Sequence, residues 1–334
     1  MIHYVGLNGK DTTGYGLSAA KPWRTLTYAI WRVKDDGSTI LILPGAYTNP
    51  EWRISRAFTQ TVTIKSAQPW TARLTNTGGY EALRGFGGSN YYLEGLVFGL
   101  TKSRQQVQIG NGHHYHFREC IFQDSYNNDL MKLTLLADSV VEYCCFSNAG
   151  SSDESIDVQS PRLLIRRCLL FHDYVGSGRT IPETRSQIVI KKHATDIKVI
   201  ESVFLNWQGK DSADFIRIGE DAWTDRFEAE RIEVLDNVFI GNSPRRIEAP
   251  VMIENSKDVV VRGNRLVGPM PRKLDITARP RGYKIENITI VDNPWLSPIT
   301  QPIVLPRWNP TTKKLRSGLG SIKEERSRLL ALIA

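Results

Sequence analysis

Seven charged side chains carry the chemistry this sequence offers. Asp129 is followed 24, 25 and 28 residues later by Asp153, Glu154 and Asp157, and then come Lys191 and Arg217, with Lys132 close behind the first acid. Four carboxylates brought into one place repel one another unless cations neutralise them. Two arrangements satisfy that demand. One is a hard, oxygen-seeking metal ion, and calcium, which accepts six to eight oxygens in flexible geometry, suits such a cluster better than zinc. The other is a self-compensating ladder of salt bridges on a solvated face.

A metal beside a base suits proton abstraction next to a carboxylate, as in β-elimination from a uronate sugar. Lys191 is the candidate base, because neighbouring cations and burial can depress a lysine pKa. Lys192 follows it directly and Arg217 lies one repeat on. Arg217 and Lys132 are candidates to clamp a substrate carboxylate or to stabilise developing charge. His172 and Tyr174, with Arg179 and Lys192, are candidates to line a substrate groove. The HHYH run at His113–His116 is a weaker metal candidate, since strand alternation puts only alternate residues on one face. Trp31, Trp207 and Trp223 are either stacking platforms for sugar rings or packing residues. A pair of carboxylates also supports glycoside hydrolysis, but this cluster is dense and close to lysine.

The elements that must position these groups follow from an internal repeat. A short motif recurs at Cys120, Cys144, Cys168, Ser202, Asn237, Asn264 and Asn293, with spacings of 24, 24, 34, 35, 27 and 29 residues. Each copy follows an alternating run such as Ile197–Ile200 or Ile232–Leu235, and a period of two marks short strands. A repeat of about two dozen residues that varies by whole loops predicts a parallel β-solenoid, right-handed by the rule for parallel crossovers. The repeated Cys–Ser–Asn position predicts an internal ladder at one corner. Aligning residues 131–133, 156–158, 190–192 and 216–218 predicts Lys132, Asp157, Lys191 and Arg217 as one outward column of alternating charge.

Residues 23–34 read as an amphipathic capping helix with Leu26, Ile30 and Val33 on one face, followed by a first strand at 39–43. Residues 319–333 read as a second helix, either an end cap or a docking element for a sister subunit or virion partner. Three regions result: a cap and first strand over 1–45, the β-helix over 46–297, and a linker with C-terminal helix over 298–334.

Composition narrows the functional class. The chain has 334 residues, a net charge of +8 and 41% hydrophobic residues, which excludes disordered, collagen-like and coiled-coil classes. No apolar run reaches membrane-spanning length, and the first residues lack a secretory signal. The basic balance favours polyanionic partners: acidic polysaccharide first, with nucleic acid unlikely for want of a recognisable motif. The four cysteines fit no common zinc spacing and read as reduced thiols.

The opening YVGLNGKDTTGYGLSAAKPWRTLTYAI, followed by ILILPGAYT, resembles the entry module of right-handed parallel β-helix proteins of the pectate-lyase-like superfamily. DLMKL, SSDESIDV, GSGR, IVIK, FLNWQG, GED and GNS, in that order, resemble a bacterial and phage-associated β-helix repeat group. One spacing resembles polysaccharide lyase family nine. That resemblance implies a calcium ion held by Asp129, Asp153, Glu154 and Asp157, and Lys191 as base, although Glu154 stands where that family usually has Asp. The resulting expectation is a calcium-dependent lyase of acidic polysaccharide, extracellular or virion-associated. The alternative is a non-catalytic structural or receptor-binding virion component.

Overall fold

The computed structural model describes residues 1–102, 104–150, 153–209, 213–220, 226–241, 247, 249–268, 275–276 and 284–333. The chain winds as a parallel β-helix. One bent sheet of 19 strands forms two sides, and a ten-stranded sheet forms the third. The 12-residue strand Val107–Arg118 shows the bend directly: its first half pairs with Met131–Ala137 and its second with Ser139–Glu142.

The interior is built from aligned apolar columns. Leu83, Val107, Met131, Ile156, Ile188 and Ile216 stand in register on successive coils, all fully buried. Phe98, Phe122 and Phe146 stack nearly parallel with ring centroids 5.0 and 4.7 Å apart, at the spacing of adjacent parallel strands. Each coil therefore buries its apolar face only against its neighbours.

The predicted ladder occupies the corner into the third sheet. Asn264 Oδ1 accepts from Asn237 N at 2.9 Å and from Asn237 Nδ2 at 3.0 Å. Asn293 Oδ1 does the same for Asn264 at 3.0 and 2.8 Å. The thiols of Cys120, Cys144 and Cys168 donate to the carbonyls two residues before them. All four cysteines are free and buried. The residue before each ladder position is left-handed: Glu119, Tyr143, Arg167, Glu201, Asp236 and Asp292 have φ between 48° and 55°. One such residue turns the chain sharply, at a conformational cost that non-glycine residues bear only where the surroundings enforce it. The ladder enforces it by satisfying the backbone groups that the turn frees.

Helix α1 spans Leu26–Arg32, capped by Thr25 Oγ1 accepting from Tyr28 N, and it buries Leu26, Ala29 and Ile30. The first strand is Ile2–Val5 rather than 39–43: it pairs with Thr39–Ile42. Its free edge is closed by residues 16 and 23, through Tyr4 N to Gly16 O and Trp23 N to Tyr4 O, so no open edge is presented there.

Helix α2 spans Ile322–Ala331 and lies neither at the end of the solenoid nor apart from it. With Trp308 and Leu315 it covers the outward side of the third sheet, against Val97, Ile121, Cys145, Leu169, Phe171, Val203 and Leu205. Its buried side is Ile322, Glu325 and Leu329, and Lys323, Glu324 and Ser327 face water. The apolar face expected to dock a partner is thus already occupied within the chain. Among the described residues, no helix is long and apolar enough to cross a membrane.

Candidate functional site

The site forms where coils enter the first sheet. Residues two before and one after a common inward position recur on successive coils. Met131 pairs with Ile156, and Lys132 with Asp157. This places Asp129 and Glu154 side by side at the strand mouth, with Asp157 beside them. Carboxylate oxygens of Asp129, Glu154 and Asp157 lie within 4.8 Å of one another, and all three residues are buried. Asp153 lies just outside this group, half-buried at the rim.

The register corrects one expected neighbour. Asp157 pairs with Val189, not Lys191, and Val189 pairs with Arg217. The outward column is therefore Lys132, Asp157, Val189, Arg217. Lys191 follows the strand Ile188–Ile190 and reaches the acids from the far side. Its Nζ donates to Glu220 Oε2 at 2.6 Å and lies 4.0 Å from Glu154 Oε1. On the near side, Lys132 Nζ donates to Asp157 Oδ2 at 2.7 Å and lies 3.9 Å from Asp129 Oδ2. Arg217 stands one coil further, with its Nε 3.2 Å from Asp214 Oδ2 and 3.8 Å from Glu254 Oε2.

The electrostatics are unbalanced. Burial, reinforced by Asp157, pushes the Asp129 carboxyl up to about 6. Burial and then Asp129 push Asp153 up to about 7. Glu154 is raised well above the carboxylate range by burial and by Asp129. Burial and mutual repulsion thus outweigh the two lysines at Asp129, Asp153 and Glu154, all three being shifted toward the protonated form, and a cation bound there would oppose that shift. Asp157 Oδ1 is buried without a hydrogen-bond partner. A dense set of oxygens, one of them unpartnered, fits a hard cation such as calcium.

Lys191 departs from the expectation of a depressed pKa. Burial acts downward, but Glu154, Asp157 and Glu220 outweigh it and hold the ammonium charged. Lys132 is likewise raised, burial being overcome by Asp157 and Asp129. Glu220 and Arg185, which pair at 2.5 Å, are site residues that the sequence pattern did not single out. The signal for Glu220 was Gly219, whose φ of 74° turns the strand end back toward Lys191. A Cβ there would lie 2.6 Å from Glu254 O.

The expected groove residues separate. His172 and Tyr174 are fully buried and line no groove. His172 Nδ1 accepts from Gln208 N at 3.1 Å, and burial depresses its pKa to about 3. Tyr174 Oη bonds Ala149 O and Thr184 Oγ1, anchoring the loop before the first sheet. Arg179 is a clamp: it donates to Ser125 O at 2.7 Å and covers the ring of Tyr126, centroid 4.3 Å away. Lys192 is exposed at a corner with φ 54°, its N donating to Glu228. Trp207 packs against His172 and Phe215, Trp31 is exposed, and Trp223 lies outside the described residues. His113 and His114 contact each other and His116 bonds Glu142; among the described residues, the metal-compatible group contains none of them.

No family model and no curated protein matches the sequence. Solved structures do match in shape. The chain superposes on an alginate lyase from Paenibacillus sp. str. FPU-7 at 12% identity and a TM-score of 0.53, over 79% of this chain and 96% of that one. It superposes on pectate lyase Pel9A at 13% identity and 0.55, over 88% and 78%. It superposes on the tailspike protein of E. coli bacteriophage HK620, solved with a pentasaccharide, at 13% and 0.57, over 84% and 56%. At such identities the likeness is one of fold, and the chain shares the parallel β-helix architecture of these lyases and tailspikes.

Proposed function

We propose that this chain acts on acidic polysaccharide as a calcium-dependent β-eliminating lyase. The observation that carries the reading is the buried triad Asp129–Glu154–Asp157, with two lysines at its rim, one fewer than its carboxylates. These three residues, with Asp153 beside them, would hold the ion. Bound there, calcium supplies positive charge that binds a sugar carboxylate and acidifies the neighbouring C5 proton.

Lys191 is the residue to accept that proton. Of the three carboxylates that keep it charged, two belong to the triad. Once Glu154 and Asp157 are neutralised, burial is opposed by Glu220 alone, and the lysine moves toward the neutral form a base requires. Elimination then breaks the C4–O glycosidic bond and leaves a C4–C5 double bond, the departing oxygen taking a proton from solvent water to become a hydroxyl. Lys132 and Arg217, on the same outward column, stabilise the carboxylate as negative charge builds on it. The shared fold with alginate and pectate lyases supports the same reading.

Calorimetric titration with calcium, followed by a polyuronate screen for ultraviolet-absorbing unsaturated products, tests it. Saturable binding is expected, lost in Asp157→Asn. Lys191→Ala should keep calcium and make no product. Absence of calcium binding to the native protein would leave the triad a proton-sharing structural cluster and remove the lyase reading.

A further inference from the structure

The column that carries Lys132 and Asp157 continues toward the N-terminus as Gln108, Arg84 and Arg53. Two coils before the triad, roughly 10 Å at the spacing of parallel strands, it meets a patch of a different kind. Tyr80 and Phe86 are 47% and 40% exposed, two of the larger apolar side chains open to solvent. Arg84 sits between them, its guanidinium carbon 5.8 Å from one ring centre and 5.9 Å from the other. Arg104, from the next coil, lies 5.5 Å from the Tyr80 ring.

Two features make this a built surface. Phe86 pairs in register with Gly110, and a Cβ on Gly110 would come within 2.9 Å of the Phe86 ring. The glycine lets the ring lie across the neighbouring coil, one face seated and the other open. Glu81 is buried beneath the patch, its carboxylate oxygens 3.9 Å from Arg84 and 3.7 Å from Arg104. It occupies on its own coil the place that Asp129 and Glu154 hold on theirs, two residues before the inward position. Here that acid steers two arginines instead of joining a cluster. Arg53, in register with Arg84, is exposed alongside.

We propose that Tyr80, Arg84, Phe86 and Arg104 form a binding subsite for an acidic saccharide chain, remote from the triad along the same face. Aromatic faces stack on sugar rings, and planar guanidinium groups pair with carboxylates in two-point fashion. The subsite deepens the functional reading above, because it fixes where the rest of a polyuronate lies. It does not depend on the triad's chemistry.

The test is binding without turnover. Polygalacturonate, alginate, neutral dextran and duplex DNA are compared by affinity electrophoresis and calorimetry in EDTA. Wild type should bind at least one polyuronate and not dextran. Arg84→Ala/Arg104→Ala, made in a Glu81→Gln background so that no buried acid is stranded, should weaken that binding at least tenfold, and Phe86→Ala several-fold. Wild-type affinity in the arginine double variant overturns the subsite. DNA binding equal to polyuronate binding, through the same arginines, overturns the saccharide assignment. Arginine-dependent polyuronate binding by a protein that titrates no calcium keeps the subsite and removes the lyase reading. Calcium binding and product formation at wild-type KM in the double variant does the reverse.

Discussion

Two stacks of charge run along this solenoid, and they have opposite characters. At the corner between the first two sheets, Asp138 and Arg162 on adjacent coils pair twice, at 2.7 and 3.0 Å. Asp196 and Arg231 repeat the pattern at 2.7 and 2.9 Å. These groups are exposed, one base meets each acid, and the arginine holds each carboxyl below its usual range. At the mouth of the first sheet the same coil spacing stacks Asp129 and Glu154 with Asp157. There the groups are buried, acids outnumber bases, and the carboxyls of Asp129 and Glu154 are pushed up. The first is what a self-compensating ladder looks like in this molecule, and the second does not resemble it. Stoichiometry and burial, rather than residue type or spacing, separate this exposed ladder from the buried acidic cluster proposed to hold a cation.

The sharpest way to break the comparison is to remove one base from each stack. Lys132→Met strands Asp157 and Asp129 in the interior and should cost about 3 kcal/mol at pH 8. Part of that should return at pH 5, below the value of about 6 to which the Asp129 carboxyl is pushed, and chemical denaturation at the two pH values checks it.

Calcium is the next lever. At a hundredfold excess over Kd it should stabilise the fold by about 2.7 kcal/mol, or roughly 5 °C in Tm. The Asp129 and Asp153 carboxyls, pushed up to about 6 and about 7 in the folded protein, lie above the ordinary 3.8. Their contribution to stability is therefore present below pH 3.8 and is lost as pH rises through 6 to 7. Protons compete with the ion, so the calcium-induced shift should be large at pH 8 and nearly absent at pH 5. A shift equal at both values would mean binding elsewhere.

Asp153→Asn is a smaller probe of the same imbalance. It should raise the calcium-free Tm at pH 8 by roughly 2 °C, for about 1 kcal/mol, and leave it unchanged at pH 4. Smallest of all, Arg162→Ala should cost less than about 0.5 kcal/mol, vanishing in molar salt, because exposed pairs are worth little. A loss as large as that of Lys132→Met would abolish the distinction between the stacks.

The fold was legible because a solenoid writes its period into the chain. Small polar residues from Cys120 to Asn293 can satisfy freed backbone groups at a corner, and their recurrence marks each coil. The acids of the site were legible for the same reason, since the spacing from Asp129 to Glu154 is one coil. The register at Lys191 was not. Val189 points outward yet is fully buried, so the strand Ile188–Ile190 is apolar on both sides, and alternation gives no phase where both faces are covered. The course of the C-terminal segment was signalled without being read. Leu169–Phe171, Val203–Leu205 and Val238–Ile240 are unbroken apolar runs, and such runs in an outer sheet require a cover. The left-handed corners at Glu119, Tyr143 and Arg167 carried no local signal, because none of these residue types favours that conformation.

The C-terminal strap changes how this solenoid holds together. A stack of coils touching only nearest neighbours can fray one rung at a time, its stability a sum of local terms. Here a single segment bonds Asp124 through Arg307, Glu119 through the backbone of Ile322 and Lys323, Asp173 through Arg316, and the Glu201 carbonyl through Arg326. These anchors lie on three coils, Glu119 and Asp124 sharing one, and residues up to 204 positions apart are joined. Opening any one of those coils must loosen the strap over all of them, so the central stretch melts as one cooperative unit, and the candidate site sits inside it.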